Sequence, residues 1–165
     1  MTTPPPISVL LAEDHAIVRQ GLRALLLADR AFTVAGEART GREAVEQAQT
    51  LRPDVILMDI AMPVLNGLEA TRQILTANPA ARVIILSAHS DDEYVERMRA
   101  AGVAGFLEKQ TSAEILTKAI SEVATGRAYF SPSIIRRQQC GAAKSRDRNG
   151  LVKTDGQRLT PREAE

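Results

Sequence analysis

The sequence predicts an α/β fold in which five parallel strands form a doubly wound sheet covered by five helices. Five short apolar runs alternate with five segments of helical periodicity between residues 7 and 126. The two central runs, "VILM" and "VIIL", are apolar at every position, as burial under helices on both faces requires. Four of the five runs finish on charged or hydroxyl side chains, which is where an open α/β sheet holds its ligands.

In chain order, "ISVLLAED" is a short apolar run ending in acids, and "HAIVRQGLRALLLAD" follows with Val18, Leu22, Leu25 and Leu26 spaced for one helical face. The unit then repeats as "FTVAGEA" and "GREAVEQAQTL", "DVILMD" and "NGLEATRQILTAN", "RVIILSA" and "DDEYVERMRAA", and "AGFLEK" and "SAEILTKAISEVATG". Strands are expected near residues 8–12, 32–37, 54–59, 82–87 and 104–108. Regular interleaving with helices excludes an antiparallel sheet, and the expected strand order is the flavodoxin-like 2-1-3-4-5. Gly126 is the expected stop of the last helix.

Residues 1–6 read as a disordered start, 7–128 as the domain, and 129–158 as a basic linker without apolar periodicity. In "LTPREAE", residues 159–165, Thr160 suits an N-cap, Pro161 the first helical position and Glu163 the reciprocal capping position. A helix is announced there, and a larger protein is expected to continue beyond Glu165. Residues 1–135 carry 13 Lys+Arg against 16 Asp+Glu, and residues 136–165 carry 8 against 4. The body is therefore no basic DNA-binding surface, and the basic tail has no interleaved aromatics to stack on bases. No apolar run approaches the roughly 18 residues of a membrane span, and "MTTPPPI" is not an export signal, so a cytoplasmic protein is expected. Cys140 is the only cysteine and reads as an incidental thiol.

The strand ends carry the chemistry. Glu13 and Asp14 end the first strand, Asp59 the third, Ser87 the fourth and Lys109 the fifth. Three carboxylates on one rim repel one another unless a cation intervenes, and carboxylates with a backbone carbonyl and waters suit Mg²⁺. Lys109 supplies a mobile positive charge and Ser87 a hydrogen-bond donor. Phosphoryl chemistry on Asp59 as nucleophile is the reading that uses all five residues. Singly, each has a plainer role: an aspartate at a strand end is commonly a cap, and a lysine commonly a solvated surface charge.

These segments in this order, "LLAEDH", "DVILMDIAMPVLNGLEA", "VIILSAHSDDEYV" and "AGVAGFLEK", closely resemble the receiver domain of bacterial response regulators across residues 7–126. "HAIVRQGL" and "LTPREAE" resemble the NarL/FixJ branch, whose members add a LuxR-type helix-turn-helix DNA-binding domain. The resemblance implies that Asp59 receives phosphate from a sensor histidine kinase, that Asp14 binds Mg²⁺ directly and Glu13 through water, and that the Ala61 carbonyl completes the protein ligands. It implies that Ser87 and Lys109 contact the phosphoryl group, that Phe106 changes rotamer on activation, and that phosphorylation drives homodimerisation. DNA would be met only through the further domain. Phe106 lacks the hydroxyl of a tyrosine, so a switch there works by packing alone. Gln110 stands where many receivers have proline, so the sequence leaves open whether the peptide after Lys109 is cis, as it often is in receivers, and with it the pose of Lys109. Ala61 and His89, each two residues past a site residue, are expected to tune hydrolysis of the phosphoaspartate.

Three rival readings remain. A Mg²⁺-dependent aspartyl-nucleophile phosphatase would want a second aspartate at position 61 as general acid, where this chain has alanine. A phosphorylation-independent pseudo-receiver would not need the full set of Glu13, Asp14, Asp59, Ser87 and Lys109. A flavin-phosphate site would need donors where "AEDHA" is acidic.

Overall fold

The structure, a computed structural model, describes residues 3–88, 92–131 and 134–135. Two compact units divide the chain, residues 1–131 and 132–165, and everything below concerns the first. Its elements run β1 (Ile7–Ala12), α1 (Ala16–Leu27), β2 (Phe32–Ala38), α2 (Gly41–Leu51), β3 (Val55–Asp59), α3 (Gly67–Ala77), β4 (Val83–Ser87), α4 (Asp92–Ala101), β5 (Gly105–Glu108), α5 (Ala113–Ala124) and β6 (Tyr129–Phe130). All five expected strands form, each starting within one residue of its expected position.

The sheet is parallel throughout, in the order β2-β1-β3-β4-β5-β6. The predicted 2-1-3-4-5 order holds, with one strand added at the edge. That sixth strand, Tyr129–Phe130, lies where the sequence suggested a linker. Gly126 adopts φ +96 after α5 and donates its N–H to the Val123 carbonyl at 3.0 Å, so the chain reverses sharply enough to return along β5. Phe130 then pairs with Phe106, and Arg99 of α4 stacks over the Phe130 ring at 4.6 Å.

Every residue of β3 and β4 is buried, so the absence of alternation in "VILM" and "VIIL" has its expected cause. On one face Val9, Leu11, Leu57, Ile84 and Leu107 pack with Leu26 of α1 and Leu116, Ile120 and Val123 of α5. The alternate residues Leu10, Ile56, Met58, Ile85 and Phe106 are buried on the other face, which α2, α3 and α4 cover with Ala48, Ile74 and Met98. Helix α1 corrects one expectation. Leu22, Leu25 and Leu26 face the core, but Val18 lies at the edge of the stripe and is exposed, and the buried residue of that first turn is Arg19.

Helices α2, α3 and α5 start where side chains satisfy their free N–H groups. The Thr40 hydroxyl accepts from Glu43 N at 3.1 Å, Asn66 Oδ1 from Glu69 N at 2.8 Å, and Ser112 Oγ from Ile115 N at 3.4 Å. Among the described residues no peptide bond is cis, so Lys109–Gln110 is trans, and no helix is long and apolar enough to cross a membrane.

Candidate functional site

Parallel pairing brings the strand ends to one rim. Ala12 pairs with Met58 across β1 and β3, and Asp59 with Leu86 across β3 and β4, so the residues that follow β1, end β3 and end β4 are neighbours. Glu13, Asp14, His15 and Asp59 each offer a ligand atom, and those atoms all lie within 4.8 Å of one another. Lys109 reaches into the group from the end of β5, its Nζ 3.1 Å from Glu13 Oε2 and 3.1 Å from Asp59 Oδ2. Its backbone is fixed by donating to the Ser87 carbonyl at 2.8 Å, which also ties the ends of β4 and β5 together.

Glu13 and Asp59 are 1% and 2% exposed. Burial is the largest influence on Asp59 and the Glu13 charge adds to it; Lys109 and the Ala61 N–H, 3.3 Å from Oδ1, oppose them, and the carboxyl is pushed up to about 6. Glu13 is also penalised by burial, but hydrogen bonds from the His15 ring and backbone, together with Lys109, outweigh the penalty and hold it below the usual carboxylate range. Lys109 loses hydration by burial, and its two carboxylate partners more than restore its charge, so its pKa is raised. The result is an ionised Glu13 and Lys109 beside an Asp59 that holds its proton unusually well.

Glu13 Oε2, Asp14 Oδ1 and Asp59 Oδ2 are buried atoms that accept no aligned hydrogen bond. Lys109 Nζ stands at ion-pair distance, 3.1 Å, from two of them and is shared between them. Carboxylates of Glu13, Asp14 and Asp59 with ligand atoms within 4.8 Å of one another form a donor set for a hard divalent cation, which fits the Mg²⁺ expected from the sequence.

The β3–α3 loop holds Asp59 at its place. Gly67 N donates to the Ile60 carbonyl at 2.9 Å, and a Cβ on Gly67 would lie 2.2 Å from the Asp59 carbonyl oxygen. Only glycine permits that approach. Between them, Leu65 N donates to the Pro63 carbonyl at 2.8 Å across Val64, whose φ is +70. A three-residue turn centred on a β-branched residue at positive φ is strained, and the strain sits five residues from Asp59.

The structure thus brings together Glu13, Asp14, Asp59 and Lys109, with Ser87 buried at the end of β4 and Ala61 in the loop after β3. Phe106 is fully buried in β5, paired with Ile85 two residues before the Ser87 end of β4. His89 lies outside the described residues. Two residues escaped the sequence reading. His15 places Nδ1 2.9 Å from Glu13 Oε1 and 3.1 Å from Asp14 Oδ1, and these contacts raise its pKa, the Glu13 hydrogen bond most. Arg19, one helical turn later, donates from Nη1 to the Glu13 carbonyl at 2.9 Å and places Nε 3.4 Å from Glu37 Oε1. The available signal was the i, i+4 spacing of His15 and Arg19 directly after the acidic pair.

The family model for the response regulator receiver domain matches residues 9–121. The chain is 38% identical over 128 residues to the transcriptional regulatory protein DegU of Brevibacillus brevis, covering 78% of this chain and 54% of DegU. In structure it is similar to a LuxR-family two-component response regulator from Aurantimonas sp., with TM-score 0.76, 32% identity, and coverage of 79% of this chain and 94% of the other. It is also similar to the signal receiver domain of the putative response regulator NarL from Mycobacterium tuberculosis, with TM-score 0.73, 31% identity, and coverage of 75% and 100%. The chain spans 54% to 60% of the length of the curated relatives it matches.

Proposed function

This chain belongs to the response regulator receiver domain family, and on that footing we propose that Asp59 accepts a phosphoryl group from a sensor histidine kinase in the cytoplasm. The observation that carries the proposal is the convergence of Glu13, Asp14 and Lys109 on the buried Asp59 carboxylate at the end of β3. A carboxylate oxygen of Asp59 forms the new P–O bond as the donor's P–N bond breaks. Glu13, Asp14, Asp59 and the Ala61 carbonyl would hold Mg²⁺, which when bound supplies positive charge for the phosphoryl oxygens. Asp59 must be ionised to attack, so positive charge that draws it below about 6 favours the reaction. Beside the site, α1 presents Ile17, 86% exposed, and Val18 as apolar contacts for the kinase.

The phosphoryl group adds about −1.5 to −2 charges at Asp59. Lys109 then exchanges carboxylate partners for phosphoryl oxygens and Ser87 turns its hydroxyl toward them. Two charge-assisted hydrogen bonds supply roughly 3–6 kcal/mol in gross terms, and about 1.4 kcal/mol of net gain already shifts a two-state equilibrium tenfold. The responding element is α4 with its preceding loop, which is linked to the sheet edge through Arg99 and Phe130, and to Phe106 through the pairing of β5 with β6. Ala61 and His89 tune the lifetime of the phosphoaspartate. The altered surface promotes homodimerisation and controls a DNA-binding output domain, the role suggested by similarity in structure to a DNA-binding response regulator of the LuxR family.

A single stoichiometric phosphorylation with Mg²⁺ and a small acyl phosphate, accompanied by amide shift changes across residues 87–109, is the expected result. Unchanged shifts would rule out the switch, and steady turnover of varied phosphate esters would favour the phosphatase.

A further inference from the structure

We infer that β6 is a detachable latch, through which the state of the Asp59 site sets how firmly the chain is held where it leaves the domain at Ser131. The inference rests on the phosphorylation switch proposed above and adds the device that passes it on. Strand β6 pairs with β5 at only two positions, Gly105 with Tyr129 and Phe106 with Phe130, where an ordinary strand runs to about five or six residues. Two N–H groups tie the segment to β5, Tyr129 N donating to the Ala104 carbonyl at 2.9 Å and Ser131 N to the Phe106 carbonyl at 3.1 Å. The strands meet so closely that a Cβ on Gly105 would lie 2.7 Å from the Tyr129 carbonyl oxygen.

The two residues of β6 are held differently. Side chains alternate along a strand, so Tyr129 packs on the core shared with α1 and α5, while Phe130 lies on the opposite face, where the Arg99 guanidinium of α4 stands 4.6 Å from its ring. Phe106, its register partner, is buried on that same face. The Tyr129 end is thus anchored in the core, and the Phe130–Ser131 end is held by β5 and α4, the two elements that respond to the phosphoryl group. Lys109 follows β5 directly and is tied to the Ser87 carbonyl, so its move toward a phosphoryl group acts on the strand against which β6 lies. With Asp59 unmodified the two hydrogen bonds and the Arg99 contact are all made. A shift of α4 that carries Arg99 off the ring weakens the Phe130–Ser131 end, and a segment held by so few contacts opens locally without unfolding the domain. Phosphorylation therefore loosens the chain just ahead of residues 132–165.

The test follows amide hydrogen exchange of Tyr129 and Ser131 by NMR in the 1–165 chain with Mg²⁺, with and without beryllofluoride as a phosphoryl analogue. A cation–π contact at an exposed site changes an equilibrium about two- to fivefold, so Arg99→Gln should speed Ser131 exchange by about that factor without the analogue. The analogue should speed it at least as much in the unsubstituted chain, with Tyr129 less affected and exchange within β3 and β4 unchanged. Ser131 exchange that is unaltered or slowed by the analogue, while amide shifts across residues 87–109 move, would overturn the latch and leave the switch standing. So would indifference of Ser131 to Arg99→Gln, or equal acceleration throughout β3 and β4, the mark of general destabilisation. Absence of shift changes across residues 87–109 would overturn the switch itself and this inference with it.

Discussion

Replacing Asp59 by asparagine should stabilise the metal-free protein, and more at pH 7.5 than at pH 5. An aspartate ordinarily titrates near 3.8, and here burial, reinforced by Glu13, moves Asp59 to about 6. The native state then binds this proton more tightly than the unfolded chain does. The contribution to stability is fully present below pH 3.8 and is lost as pH rises through 6. Once both states are ionised, the gap is worth roughly 3 kcal/mol, and at pH 5 about half of that. Asparagine keeps the shape and the Ala61 N–H contact without the charge, so it escapes this loss; Lys109 keeps Glu13 as its counter-charge. Urea unfolding of both proteins at both pH values, with a chelator present, gives the comparison. A gain of about 2–3 kcal/mol at pH 7.5 that shrinks at pH 5 is expected. An equal effect at both pH values, or a loss at pH 7.5, would refute the placement of Asp59 as a buried, repelled carboxylate.

Lys109→Met removes the one cation between Glu13 and Asp59 and should cost about 2–3 kcal/mol in urea at pH 7.5, somewhat below the fully buried range because Lys109 is 19% exposed. Arg19→Met keeps the apolar stem but loses the hydrogen bond to the Glu13 carbonyl and the contact with Glu37, and a loss of about 2 kcal/mol is expected in the same assay. Gly67→Ala drives a Cβ into the Asp59 carbonyl and should destabilise by about 2–3 kcal/mol while lowering phosphate incorporation, read by intact mass.

The strands were legible because a strand buried on both faces needs no alternation, and "VILM" and "VIIL" can do little else. The rim was legible for a related reason: each apolar run breaks at a polar residue, and parallel pairing puts those residues side by side. Val18 was misplaced because helical spacing defines a stripe without fixing its edges. Arg19 was missed because a buried arginine and a solvated one look alike in sequence; only the Glu13 carbonyl above it decides the matter. Tyr129–Phe130 is too short to carry a pattern of its own and becomes a strand only because the edge of β5 stands open to it. The positive φ of Val64 had no signal at all, since its residue type argues against it.

Whether Asp59 is the phosphoacceptor is decided by intact mass spectrometry after incubation with Mg²⁺ and a small acyl phosphate. The wild-type chain should gain the mass of one phosphoryl group, and the Asp59→Asn chain should gain none. A gain of the same size in Asp59→Asn, or none in the wild type with Mg²⁺ bound, would show that Asp59 is not the acceptor.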